Sequence, residues 1–228
     1  MNTQIHNTIV RGGLRRPNWI CKNVKQIVIL VRDASGSMSG TPAAQASTAT
    51  LDLVGELANP SNKDGFIIAI VDFAENAVTV HDLTRASDLN GKVTPLQIGR
   101  SMLGGTTNLT AGIETANGIL GKARRPDQAG TAYLRPVVIA FTDGGHNQGP
   151  APHDAANRLK AIADLVTVAF GDSADEALMR DLACTPQHFY RCSNGRELRQ
   201  FLAAVGATMT ATMAAGANAT QALATIRQ

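Results

Sequence analysis

Aromatic residues make up only 4% of this sequence, with one Trp and two Tyr, and charged residues only 17%. The scarcity of rings argues against an aromatic-rich sandwich core. The abundance of Ala, Val, Ile, Leu and Gly suits close packing of helices on a sheet instead. Cysteine is almost missing: Cys21, Cys184 and Cys192 are odd in number, far apart and form no Cys-x-x-Cys pair. That excludes a disulfide framework and a zinc knuckle, and it fits a reducing cytoplasm, with Cys184 and Cys192 read as packing residues. There is no run of about 18 apolar residues that could span a bilayer, and no N-terminal leader pattern. The chain reads as soluble and cytoplasmic, with no membrane role. His81, His146, His153 and His188 share no ligand spacing such as His-x-x-x-His, so histidine-based metal binding is not indicated.

What the sequence does contain is enough for one well-buried core. It has 228 residues, 44% of them hydrophobic, and a formal charge of +3. Arg11, Arg15, Arg16, Lys22, Lys25 and Arg32 all precede the first acidic residue, Asp33, which leaves the remainder slightly acidic. The expected organisation is a basic arm over 1–24, one domain over 25–206 and an Ala/Thr-rich segment over 207–228. The arm's basic residues are scattered and only Trp19 could stack on a base, so nucleic acid is not an expected partner. Three outcomes stay open for the last segment: extending the final helix, packing on a partner, or staying mobile.

Gln26 to Val31 is a continuous β-branched apolar run, the mark of a strand buried on both faces. Phe66 to Val71, Val137 to Phe141 and Leu165 to Phe170 repeat it, and the helix-length spacings imply crossovers and a mainly parallel α/β sheet. Ala77 to Leu83 follows the second run too closely for a crossover, so it is expected as an antiparallel partner at the sheet edge. Helices are expected from Thr41, as cap before Pro42, to about Leu57, and over 109–122, 154–163, 174–182 and 195–210, with a short last strand over 187–191. Arg125 to Gly130 reads as an exposed loop.

In an open parallel sheet, ligands bind beyond the carboxyl ends of the strands, where the strand order reverses. Asp33-Ala34-Ser35-Gly36-Ser37 directly follows the first strand and places one carboxylate and two hydroxyls on alternate residues of a turn. Thr142-Asp143-Gly144-Gly145 follows the run at Val137, and Leu103 to Asn108 adds hydroxyls before a helix. Two carboxylates among hydroxyls form an all-oxygen set suited to a hard divalent cation, Mg²⁺ or Mn²⁺. Asp72, after the second strand, reads as a turn residue rather than a ligand. Met38, Met102 and His146 are placed to shield the site from water.

From about Gln26 to Arg191 the sequence resembles a von Willebrand factor type A domain. The metal-ion-dependent adhesion site of that family has the pattern D-x-S-x-S, then a Thr, then an Asp. Asp33, Ser35 and Ser37 match the first part and Asp143, within Phe141-Thr142-Asp143-Gly144, the last. Thr107 matches the middle, standing six residues before the apolar Ile113 as in family members, with Thr106 as the neighbouring alternative. The resemblance implies a Rossmann-like doubly wound sheet, mainly parallel with one antiparallel edge strand and helices on both faces. It also implies that a partner protein presents an Asp or Glu to the bound cation. In its compact form and Ala/Thr-rich ending, the chain is similar to bacterial proteins of tellurite-resistance and stress-response loci. That narrower resemblance implies a kinase or PP2C-type phosphatase as partner.

The competing enzyme reading is a Mg²⁺-dependent phosphatase of haloacid-dehalogenase type, which needs a second Asp two residues after the first as general acid. Ser35 stands there, and a hydroxyl cannot carry out that proton transfer near neutral pH. Neither a Gly-x-Ser-x-Gly elbow nor a phosphate-binding Gly-x-x-x-x-Gly-Lys loop occurs. The sequence therefore reads as a binding module and not an enzyme.

Overall fold

The β-branched runs form the centre of a single sheet. The structure, a computed structural model, describes residues 24–99, 103–123 and 131–226. Trp19, Cys21, Met102 and the loop expected at Arg125 to Gly130 lie outside the described residues, as does nearly all of the basic arm. In chain order, β1 (Val24–Asp33) leads into α1 (Thr41–Leu57), β2 (Phe66–Phe73), β3 (Ala77–Arg85), the single turn α2 (Ala86–Leu89) and α3 (Leu109–Lys122). The two-residue β4 (Ala132–Tyr133), β5 (Val137–Thr142), α4 (His153–Ile162), β6 (Asp164–Phe170), α5 (Glu176–Leu182), β7 (Phe189–Cys192), α6 (Gly195–Ala214) and α7 (Thr220–Leu223) follow.

The strands run in the order β3-β2-β1-β5-β6-β7, with β4 against the start of β1. All neighbouring pairs are parallel except β2 with β3, the expected antiparallel edge. Alternation along β1 explains its unbroken apolar character: Val28 and Leu30 enter a core shared with α1 and α6, while Ile27, Ile29 and Val31 enter one shared with α3, α4 and α5. Fully burying each such side chain contributes about 1.5–3 kcal/mol. Gly112 lets α3 approach closely, since a Cβ there would stand 2.8 Å from Val31 Cγ1 and 3.0 Å from the Phe73 ring. That approach sets the height at which the residues before α3 meet the sheet edge.

Several local expectations are corrected. Gly40 at φ 78°, not Thr41, precedes α1, and Thr41 is already helical with Pro42 in the first turn. β7 starts at Phe189 because Pro186–His188 first make a 3-10 turn. Asp72 is not a turn residue. It lies within β2 in register with Arg32 and, fully buried, pairs with it at 2.7 Å (Nε to Oδ1) and 3.0 Å (Nη2 to Oδ2). Of the outcomes left open for the last segment, extension of the final helix is the one observed first: α6, expected to about 210, runs on unbroken to Ala214 and buries Met209 and Met213 in the same core. Beyond it, Asn218 Oδ1 accepts the Arg135 N–H, the Thr220 hydroxyl donates to Asp164, and Leu223 is buried with its carbonyl on the Tyr190 hydroxyl. Among the described residues no helix is long and apolar enough to cross a membrane.

Candidate metal centre

The strand order reverses between β1 and β5, because the chain leaves β1 for β2 on one side and later builds β5, β6 and β7 on the other. Asp33 ends β1 and Asp143 directly follows β5, so the sheet sets the two carboxylates side by side at its carboxyl edge. Asp33 is fully buried and Ser35 nearly so, whereas Ser37 is exposed and Asp143 half-buried. The Ser35 N–H donates to Asp33 Oδ1 at 2.8 Å, and the Thr142 hydroxyl donates to Asp33 Oδ2. Ser35 Oγ and Ser37 Oγ are 3.1 Å apart, and Ser37 Oγ donates to Asp143 Oδ1 at 2.6 Å.

Thr107 reaches the same point from the start of α3. A Cβ built on Gly144 would stand 3.8 Å from Ser37 Oγ and 3.9 Å from Thr107 Oγ1, so both hydroxyls border one cradle beside Gly144. Thr106 differs: its hydroxyl is buried without a hydrogen-bond partner among the described residues. All five residues expected from the sequence, Asp33, Ser35, Ser37, Thr107 and Asp143, thus meet at one edge.

The surrounding loops are braced by bonds that the sequence does not announce. Asn147 exchanges two bonds with the Thr107 backbone, its N–H donating to Thr107 O at 3.0 Å and its Oδ1 accepting the Thr107 N–H at 2.8 Å. His146 Nδ1 accepts the Leu109 N–H at 3.3 Å, and the Thr110 hydroxyl donates to Pro150 O at 2.5 Å. The Gly36 N–H reaches Gly105 O at 3.2 Å. Gly104, at φ 76°, turns against Glu75, whose carboxylate a Cβ at that position would strike at 2.5 Å. Thr142 and Asn147 went unnoticed in the sequence. A hydroxyl beside an Asp at a strand end was a usable signal for Thr142, whereas nothing local marks Asn147. Met38, expected in the shielding rim, is instead fully buried in the core under α1.

Burial pushes the Asp33 carboxyl up to about 6, against the lowering effect of its bonds from Thr142 and Ser35, and nearby Asp143 adds repulsion. Asp143 is raised too, again chiefly by burial and against its bond from Ser37. Among the described residues neither carboxylate is paired with a basic side chain. Two desolvated carboxylates without a counter-charge, beside three hydroxyl oxygens and an open cradle, fit a hard divalent cation. A soft nitrogen or sulfur centre does not fit, since among the described residues no three His, Cys, Asp or Glu side chains cluster.

An open, doubly wound α/β domain with an all-oxygen cluster at its switch point is the class that fold and site define. Within that class, the chain belongs to the von Willebrand factor type A domain family, whose model matches residues 27–204. An uncharacterized protein of Mycobacterium tuberculosis is 30% identical over 127 residues, which are 55% of this chain and 18% of that protein. The chain therefore spans only a small part of that relative. Proximal thread matrix protein 1 of the mussel byssus, in a structure with a zinc-occupied metal-ion-dependent adhesion site, superposes with a TM-score of 0.63 at 22% identity. The match covers 83% of this chain and 46% of the mussel protein. A von Willebrand factor type A protein from Catenulispora acidiphila gives 0.64 at 19% identity, covering 82% of this chain and 43% of that one. At these identities the structural likeness establishes a shared fold.

Proposed function

We propose that this chain is a divalent-cation-dependent protein-binding module, holding Mg²⁺ or Mn²⁺ at the Asp33 to Asp143 edge and gripping a partner's Asp or Glu there. The observation that carries the reading is the convergence of three hydroxyls and two carboxylates that no basic side chain neutralises among the described residues. A cation bound there supplies an electrophilic position for an anionic ligand. Ser35, Ser37 and Thr107 offer neutral oxygens, while Asp33 and Asp143 provide the balancing charge. Ser37, the exposed member, marks the face open to a partner. The zinc-occupied motif of the mussel protein supports the capacity of this fold to hold a divalent ion.

The residues weigh against phosphoryl transfer. A nucleophilic carboxylate must reach its substrate, yet Asp33 has no exposed surface and both its oxygens already accept protein hydrogen bonds. The position two residues on offers a serine in place of an acid. The narrower resemblance suggests a cytoplasmic role in a bacterial stress-response or defence complex, beside a kinase or PP2C-type phosphatase. Affinity capture from a host lysate tests the reading. Partners are expected to bind in Mg²⁺ or Mn²⁺, leave in EDTA, return with metal, and be lost when one partner Asp or Glu becomes Asn or Gln. Partners held equally well in EDTA would require a different surface.

A further inference from the structure

Thr142 is the last residue of β5, 2% exposed, between Phe141 in the core and Asp143 at the edge. Its hydroxyl lies against Asp33 Oδ2, accepts the Gly144 N–H at 3.2 Å, and is 3.3 Å from Gly144 O. A hydroxyl has one proton to give, and a carboxylate is a stronger acceptor than a more distant carbonyl, so the proton belongs to Asp33. With the Ser35 N–H on Oδ1, each oxygen of Asp33 then has one fixed donor, which sets the plane of the carboxylate. Thr142 is itself held by a central strand and is β-branched, which restricts its χ1.

We propose that Thr142 is a positioning residue of the cation centre. Its proton is committed to Asp33 and one of its two lone pairs to the Gly144 N–H, so both of its bonds run to the turns that carry the carboxylates. Through the first bond it orients the Asp33 carboxylate on the β1 loop. Through the second it fixes the turn that carries Asp143. One buried hydroxyl thus sets the two carboxylates relative to each other. The inference rests on the reading of this edge as a divalent-cation site and names the group that pre-organises it.

The test titrates Mn²⁺ into the whole chain, reads free Mn²⁺ by electron paramagnetic resonance, and follows thermal unfolding of the metal-free protein by circular dichroism. Thr142→Val keeps the shape and removes the hydroxyl; it is expected to weaken Mn²⁺ binding at least tenfold, in line with loss of a hydrogen bond to a charged group. Thr142→Ser keeps the hydroxyl and is expected to bind within about threefold of wild type. A merely structural threonine gives another pattern, in which both variants lower the unfolding temperature and neither changes Mn²⁺ affinity; that outcome overturns the inference. Equal loss of affinity in Ser and Val overturns it as well. Should Thr142→Val not fold, Thr142→Ala is held to the same tenfold criterion. Wild type that binds no Mn²⁺ at millimolar concentration removes the cation-site reading itself. Wild type that binds, with Thr142→Val binding equally, removes only the role of Thr142.

Discussion

Asp33, Ser35 and Ser37 come from five consecutive residues, whereas Thr107 and Asp143 come from loops that meet only in the folded protein. The first half of the centre takes its frame from its own strand and turn, since β1 is buried on both faces and the Ser35 N–H turns back onto Asp33, with Thr142 and Gly105 each adding one bond from a distance. The second half is held by neighbours. Asn147 brackets the Thr107 backbone, His146 caps the first turn of α3, and Pro150 accepts from Thr110. A local turn can supply charge and hydroxyls, but shaping the opposite wall takes long-range hydrogen bonds.

The largest expected effect comes from emptying the local half. Asp33→Ala removes one of the two balancing charges and leaves the core face of β1 intact. Calorimetric titration with Mn²⁺ is expected to show at least a 100-fold loss of affinity, about 3 kcal/mol, with a metal-free circular dichroism spectrum like that of wild type. An unfolded metal-free variant would make Asp33 a structural residue.

Acidity strikes the same half next. With Asp33 raised to about 6 from its ordinary 3.8, the metal-free folded state keeps a proton that the unfolded chain has released between those values. This group therefore favours the metal-free fold most below pH 3.8, and that advantage is lost as pH rises through about 6. Metal binding needs the ionised form and runs the opposite way, with affinity falling roughly tenfold per pH unit below about 6. Mn²⁺ titrations at pH 5, 6 and 7 check it, and a flat profile would contradict the upward shift of the Asp33 carboxyl.

A smaller change is expected when the tertiary half loses one brace. Asn147→Ala deletes the acceptor for the Thr107 N–H and keeps the reverse bond from residue 147's own N–H, a loss of about 1 kcal/mol. Mn²⁺ affinity is expected to fall roughly fivefold, measured against an unchanged fold. An effect as large as that of Asp33→Ala would erase the distinction between the halves. The smallest effect belongs to Thr106→Val, which removes a buried hydroxyl that has no partner among the described residues. Mn²⁺ affinity should stay within twofold and urea stability equal or exceed wild type, within about 0.5 kcal/mol. A large loss of Mn²⁺ would move the hydroxyl role from Thr107 to Thr106.

Unbroken β-branched runs and helical periodicity are local signals, so the four buried parallel strands, the antiparallel edge at Ala77, the end of α1 and both limits of α3 were legible in the sequence. The sequence by itself also determined Asp33, Ser35 and Ser37 as one group, since their alternation lies in one turn. Folding was needed to place Asp72 in a buried pair with Arg32, to turn Met38 into the core and to carry α6 beyond 210 to Ala214. It likewise decided that the Thr107 hydroxyl flanks the Gly144 cradle and that Thr142 touches Asp33. The reason is physical. Those outcomes depend on strand register and on which distant side chains share a desolvated space, and a charge or hydroxyl finds its partner there through packing that no local pattern encodes.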